Sequence, residues 1–99
     1  MEVRRIKRPI KLDELKDLLV FPNPNDGIIN VQFRVEQESQ TEVMVSDLIG
    51  RKVMEVLNTK MPAGDYKYVV NLTKLEDGLY FLSVKTDTKI STSKIIINK

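Results

Sequence analysis

The 99-residue chain has no cysteine, no histidine and no tryptophan. Without cysteine there is no disulfide, no zinc–thiolate site and no thiol nucleophile. Without histidine the usual imidazole base and the commonest transition-metal ligand are missing as well. The lack of cysteine leaves the compartment open, because an exported domain can fold without disulfides. Aromatic side chains are few, three Tyr and three Phe, and must serve both core and surface. No long apolar run is present either. The basic start (Arg4, Arg5, Lys7, Arg8, Lys11) runs into Pro9, Asp13, Glu14, Lys16 and Asp17, which argues against a Sec signal peptide and against a membrane span.

What remains suits one small domain, long enough to fold alone and too short for two cores. The formal net charge of +2 hides an uneven distribution. Residues 13–87 sum to −5, while the basic start and the last twelve residues, with three lysines and no acid, carry the positive charge. The body therefore lacks a broad nucleic-acid footprint. The Arg4-Arg5 and Lys7-Arg8 cluster has no interleaved aromatic and no recognition helix behind it, so a solvated tail is expected over phosphate binding.

Residues 22–27, Pro-Asn-Pro-Asn-Asp-Gly, divide the chain. Pro22 and Pro24 fix φ and remove a donor, so neither belongs in a paired central strand. Asn25, Asp26 and Gly27 are turn formers, and a stiff, extended corner followed by a tight reversal into a strand starting near Ile28 is expected. Before it, residues 1–11 have no firm period. Leu12, Leu15, Leu18 and Leu19 fit one face of a two-turn helix, but Leu18 to Phe21 reads better as a short edge strand stopped by Pro22. Residues 12–16 stay open between these.

After the corner the period is two. Ile29, Val31, Phe33 and Val35 alternate with polar residues, and residues 36–40 read as a polar connection. Val43 and Val45 oppose Met44 and Ser46 in the next strand. A turn follows at Ile49-Gly50-Arg51, with Leu48 packing as the chain leaves. Residues 52–57 carry apolar side chains on both faces, and residues 58–64 read as a connection. Tyr66, Tyr68, Val70 and Leu72 alternate next, then Tyr80, Leu82 and Val84. A weak strand near residues 89–91 precedes a last one around Ile95-Ile96-Ile97, with Ile95 and Ile97 facing the core and Ile96 the other side. About seven short strands, turns every 8 to 12 residues and no crossover helix predict an all-β, immunoglobulin-like antiparallel β-sandwich. An eight-stranded barrel is the alternative architecture.

The motifs are read first as structure. Gly64-Asp65-Tyr66 and Gly78-Leu79-Tyr80 repeat Gly-x-Tyr at the mouth of a strand. The glycine allows an unusual angle, and the tyrosine supplies a broad apolar face with a hydroxyl for a backbone partner. Leu72 and Leu75 read as plugs at the sandwich end. Asp26, Asp47, Asp65, Asp77 and Asp87 sit at turns or strand ends, where aspartate is common; no Asp-x-Asp-x-Asp loop points to calcium. The hydroxyls of residues 86–93 lack a histidine base, so neither catalysis nor a cofactor is expected. Asn71-Leu72-Thr73 matches a glycosylation sequon but lies within or beside a strand.

Taken together, Leu19-Val20-Phe21-Pro22-Asn23-Pro24-Asn25-Asp26-Gly27, the run from Val43 through Asp47-Leu48-Ile49-Gly50-Arg51 to Val53, Gly64-Asp65-Tyr66, Leu75-Glu76-Asp77-Gly78-Leu79-Tyr80 and the closing Lys94-Ile95-Ile96-Ile97-Asn98-Lys99 resemble the C-terminal sorting domain of the type IX (Por) secretion system. Such domains end large exported proteins of the Bacteroidetes. The resemblance covers residues 18–99, with the blocks in the family's order. Phe21 stands where the family often has Tyr.

The resemblance implies an address label rather than a catalyst. A Sec-exported precursor would reach the periplasm on its way to the outer-membrane surface or the extracellular space. There the outer-membrane type IX translocon and shuttle proteins would recognise the folded sandwich. A sortase-like cysteine protease would then cut in the segment before it, expected within residues 12–18, leaving the passenger released or joined to lipopolysaccharide. Residues 1–17 are then linker or tail, and residues 18–99 the domain. Recognition is expected at Pro22, Asn23, Pro24, Gly27, Gly50, Gly64, Tyr66, Gly78, Tyr80, Lys94 and Lys99, the last a solvated terminal charge. No nucleic acid, metal or membrane insertion is implied. The alternative function is an immunoglobulin-like binding or spacer module of a surface protein, which should expose a cluster of aromatic or polar side chains.

Overall fold

A computed structural model describes residues 18–99. Seven strands follow one another: β1 (Leu18–Phe21), β2 (Ile28–Val35), β3 (Ser39–Ser46), β4 (Lys52–Met61), β5 (Gly64–Asn71), β6 (Gly78–Lys85) and β7 (Ile90–Ile97). They form two sheets, β1-β2-β5 and β4-β3-β6-β7, with every pairing inside them antiparallel. The described residues are thus an all-β sandwich without a helix, and the immunoglobulin-like expectation holds. The tail, the alternatives for residues 12–16 and most of the expected cleavage segment lie outside the described residues.

Strict alternation builds the core. Ile29, Val31, Phe33 and Val35 of β2 face Val43 and Val45 of β3, Leu82 and Val84 of β6, and Ile95 and Ile97 of β7. Ile96 points outward, as its place between the two requires. Phe33 lies between Tyr66 and Tyr68, with ring centroids 5.6 and 6.0 Å away, so β5 contributes stacked rings where its neighbours contribute aliphatic side chains. Burying a side chain such as Ile95 contributes about 2–3 kcal/mol, whereas exposed ion pairs such as Arg34–Asp65 contribute ~1 kcal/mol or less. Packing therefore holds this fold.

Several boundaries differ from the sequence reading. β3 starts at Ser39 because Ser39 and Thr41 are buried with their hydroxyls satisfied locally, on the carbonyls of Gln37 and Ser39. β4 runs on to Met61, its polar stretch paired to β3 across Gln40 and Asn58, so the connection shrinks to Pro62 and Ala63. Apolar residues on both faces of β4 have a simple cause. The β3–β4 register shifts between Val43 and Met44, so Leu57 opposes Val43 while Met54 opposes Val45. The extra residue turns both inward despite their odd spacing. The two segments read separately near residues 89–91 and 95–97 are one strand, β7. Leu48 does not pack; it is 64% exposed at the turn tip.

Candidate recognition site

The strand ends define two poles. Val35 pairs with Gly64 at one, the near end, toward which β1 begins at Leu18. The other, the far end, gathers the corner at residues 22–27, the β3–β4 turn, the loop at residues 72–77 and the end of β7. Eight residues at ~3.3 Å each separate them by about 25 Å.

At the far end the corner works as a clamp. The segment bends through Pro22, Asn23 and Pro24 rather than running extended, and Asn23 and Asn25 bond the outer edge of β7 while the prolines between and before them have no N–H to offer. The Asn23 side-chain amide substitutes for a peptide group: Nδ2 donates to the Lys94 carbonyl (2.9 Å) and Oδ1 accepts from the Ile96 amide (2.8 Å). Asn25 continues with its own backbone, donating to the Ile96 carbonyl (2.9 Å) and accepting from the Asn98 amide (2.8 Å). Its side chain, 5% exposed, donates to the same Ile96 carbonyl (3.0 Å) and accepts from the Gly27 amide (2.8 Å). The peptide bonds Phe21–Pro22 and Asn23–Pro24 are cis. The open edge of the last strand, otherwise a row of unpaired groups, is thereby covered from Lys94 to Asn98.

Gly27 has φ +112, and a Cβ there would meet the Thr73 side chain at 2.9 Å and its Cα at 3.3 Å. Its carbonyl accepts from the Leu72 amide, tying the corner to the loop. Here glycine is required both by angle and by close approach. Gly64 and Gly78 take φ +158 and +151, angles that other residues rarely adopt, as the Gly-x-Tyr motifs predict. A Cβ at either would make only ordinary contact with the following tyrosine ring, so there the backbone angle requires glycine, while at Gly27 close approach adds to it.

Both tyrosines do find backbone partners. The Tyr66 hydroxyl donates to the Pro62 carbonyl (2.6 Å) and Tyr80 to the Glu76 carbonyl (2.7 Å), each four residues back. This is the tyrosine-corner device of sandwich domains, used once at each end.

The β3–β4 turn is organised by Asp47. Its carboxylate accepts from the Ile49 amide (3.1 Å), the Arg51 amide (3.0 Å) and Arg51 Nε (2.9 Å), while its carbonyl accepts from the Gly50 amide (3.0 Å). The Arg51 amide bond chiefly holds the Asp47 carboxyl below its usual range, with the guanidinium adding to it against some desolvation. Gly50 takes φ +88 in open space. Ile49, 75% exposed, is presented at the tip of this fixed turn beside Leu48. A cleft separates the turn from Asp77, Gly78 and Tyr80. At the base of β4, hydrogen bonds to Glu55 and then Glu42 raise the Lys52 ammonium above its usual range.

Lys99 corrects the sequence reading. It is exposed yet engaged: Nζ donates to the carbonyls of Thr73 (3.0 Å) and Leu75 (2.6 Å), and its amide donates to Asp77 Oδ1 (3.2 Å). The Lys94 side chain is exposed, and its carbonyl belongs to the clamp. Leu72 is fully buried and Leu75 half-buried, as plugs should be. Of the residues singled out from sequence, the fold places Pro22, Asn23, Pro24, Gly27, Gly50, Gly78, Tyr80, Lys94 and Lys99 toward the far end, and Gly64 and Tyr66 at the near one. Asn25 and Asp47 were missed as organisers. The signal for both was residue type, since Asn and Asp side chains readily accept from backbone amides two residues on.

Residues 19–98 match the family model described as the secretion system C-terminal sorting domain. The chain belongs to that family. It is a C-terminal sorting-signal domain of type IX secretion, a family that is not an enzyme class. Such a domain marks a secreted precursor bound for the outer membrane or the exterior and interacts with the type IX secretion machinery. A search of curated proteins finds no match to the chain. Among the described residues of the sorting domain, no group of three or more acidic side chains is placed to hold a metal ion, and no helix is long and apolar enough to cross a membrane.

Proposed function

We propose that the outer-membrane translocon and its shuttle proteins recognise the folded sandwich by its far end. The passenger, joined through the segment before β1, follows from the periplasm. A sortase-like cysteine protease then cuts within residues 12–18, and the freed passenger is released or joined to lipopolysaccharide. The observation that carries this reading is polarity. β1 begins toward the near end, while the clamp, the Asp47 turn and the Lys99 contacts lie at the other, so a bulky passenger leaves the far end accessible. The aromatic residues also offer no exposed cluster for the binding-module alternative. The three tyrosines and Phe81 are half-buried, Phe33 is wholly inside, and Phe21 alone of the six is exposed.

The test is fusion of the whole chain behind a periplasmic reporter in a host that has this secretion system. The reporter should appear on the cell surface or in the medium, cut before the sandwich. A folded fusion that stays in the periplasm, with the system active on its own substrates, would overturn the reading.

A further inference from the structure

The closing lysine invites a simple role as a charge for a partner to read, but its contacts point elsewhere. Two of its ammonium protons go to the carbonyls of Thr73 and Leu75, and its amide reaches Asp77. A compact ammonium with three donors suits this task of gathering carbonyls around one point. The loop it gathers leads directly into the tyrosine corner, where the Glu76 carbonyl accepts from Tyr80, and into Asp77 and Gly78 at the cleft. On its other side the same loop hangs from the Gly27 carbonyl through the Leu72 amide.

We infer that Lys99 is a positioning residue of the sorting signal: it latches the loop at residues 72–77 into the far end, and the ordered loop, rather than the lysine charge, is what the secretion machinery meets. This inference rests on the proposed recognition of the far end. It gives the signal a built-in condition. The corner follows β1 and the latch follows β7, and Asn23 and Asn25 contact Lys94 and Ile96 across 71 to 73 residues of sequence. The recognised surface is complete only when the first and last segments are both in place. A partner that binds it thereby reads a finished fold.

The test separates latch from charge. In the full chain, Lys99→Met removes the charge and the two ammonium bonds of the latch, keeping the amide bond to Asp77, whereas Lys99→Met combined with Asn98→Lys returns a positive charge one residue away without those two bonds; only the main-chain amide of Asn98 is used by the clamp. Amide exchange reports the loop, and surface display of the fused reporter reports the signal. In Lys99→Met, exchange at the Leu72 and Leu75 amides should rise about tenfold or more, as loss of charge-assisted bonds gives. Amides in the core of β2 and β3 should be unchanged, and display should fall. The double variant should behave the same way. Display restored by Asn98→Lys while the loop still exchanges fast would show that the charge is read, overturning the inference. Unchanged loop protection, or full display with a loosened loop, would overturn it too. If the native fusion itself stays in the periplasm, the functional reading fails instead, and exchange alone still decides whether Lys99 holds the loop.

Discussion

The two ends of the sandwich are built on the same device and finished differently. Each has a Gly-x-Tyr motif whose hydroxyl closes on a carbonyl four residues back, Tyr66 on Pro62 and Tyr80 on Glu76. At the near end the chain crosses from β4 in one sheet to β5 in the other over Pro62 and Ala63 alone. At the far end the corner of residues 22–27, the loop at residues 72–77 and Lys99 are hydrogen-bonded to one another beside the equivalent tyrosine, and the Asp47 turn, closed by its own bonds, faces them across a cleft. The near end has bonds of its own, Thr86 to the Lys89 carbonyl and Lys89 to Glu36, whereas at the far end backbone bonds tie the corner both to the loop and to the end of β7.

Ile95→Asp breaks the comparison altogether. The side chain is 0% exposed at the centre of β7. An unpaired charge there should cost about 4 kcal/mol or more, against a total of roughly 5–15 kcal/mol for a domain of this kind. Circular dichroism should show loss of the cooperative melt, and surface display should vanish with it. A folded Ile95→Asp domain would mean that β7 is not part of the core.

Asn25→Ala loosens one end only. It removes the partner of the buried Gly27 amide and one donor to Ile96, for a loss of about 1–3 kcal/mol. Exchange should quicken at Gly27, Leu72 and Asn98 while Tyr66 and Tyr68 keep their native environment by NMR. Equal disturbance at both poles would show that the clamp is not local. The smallest effects belong to Tyr66→Phe and Tyr80→Phe. Each removes one hydroxyl bond, about 1 kcal/mol. Their melting temperatures should fall alike, and only Tyr80→Phe should reduce display; matched losses of display would erase the distinction between the ends.

The sequence was most readable where one signal dominated. Period-two alternation located the core faces of β2 and of the end of β7, because each has one wet and one dry side; in β6 it found Leu82 and Val84, although Ser83 between them is buried as well. It failed in β4, where a register shift brings Leu57 and Met54 to the same side, and bulges leave no mark in a pattern of residue types. It also stopped β4 and began β3 at the wrong places, since Asn58, Thr59 and Gln40 are polar yet paired. The corner was legible as a corner from Pro22, Pro24 and Gly27. Its action as a clamp was not, because it depends on which strand edge lies alongside, and β7 is about seventy residues away. Lys99 shows the same limit: a terminal lysine has the composition of a solvated tail, and only the path of the loop supplies its two carbonyls.

The central claim, that the far end carries the signal and the near end does not, is tested most directly by placing the same charge at each without disturbing the fold. Ile49, 75% exposed, tips the β3–β4 turn; Ala63, also exposed, sits in the near-end connection between β4 and β5. Because surface changes of this kind stay within about 0.5 kcal/mol, Ile49→Asp and Ala63→Asp should melt with the native chain. Surface display of the fused reporter should then fall for Ile49→Asp and stay at the native level for Ala63→Asp. Native display of Ile49→Asp, or a loss confined to Ala63→Asp, would contradict the account.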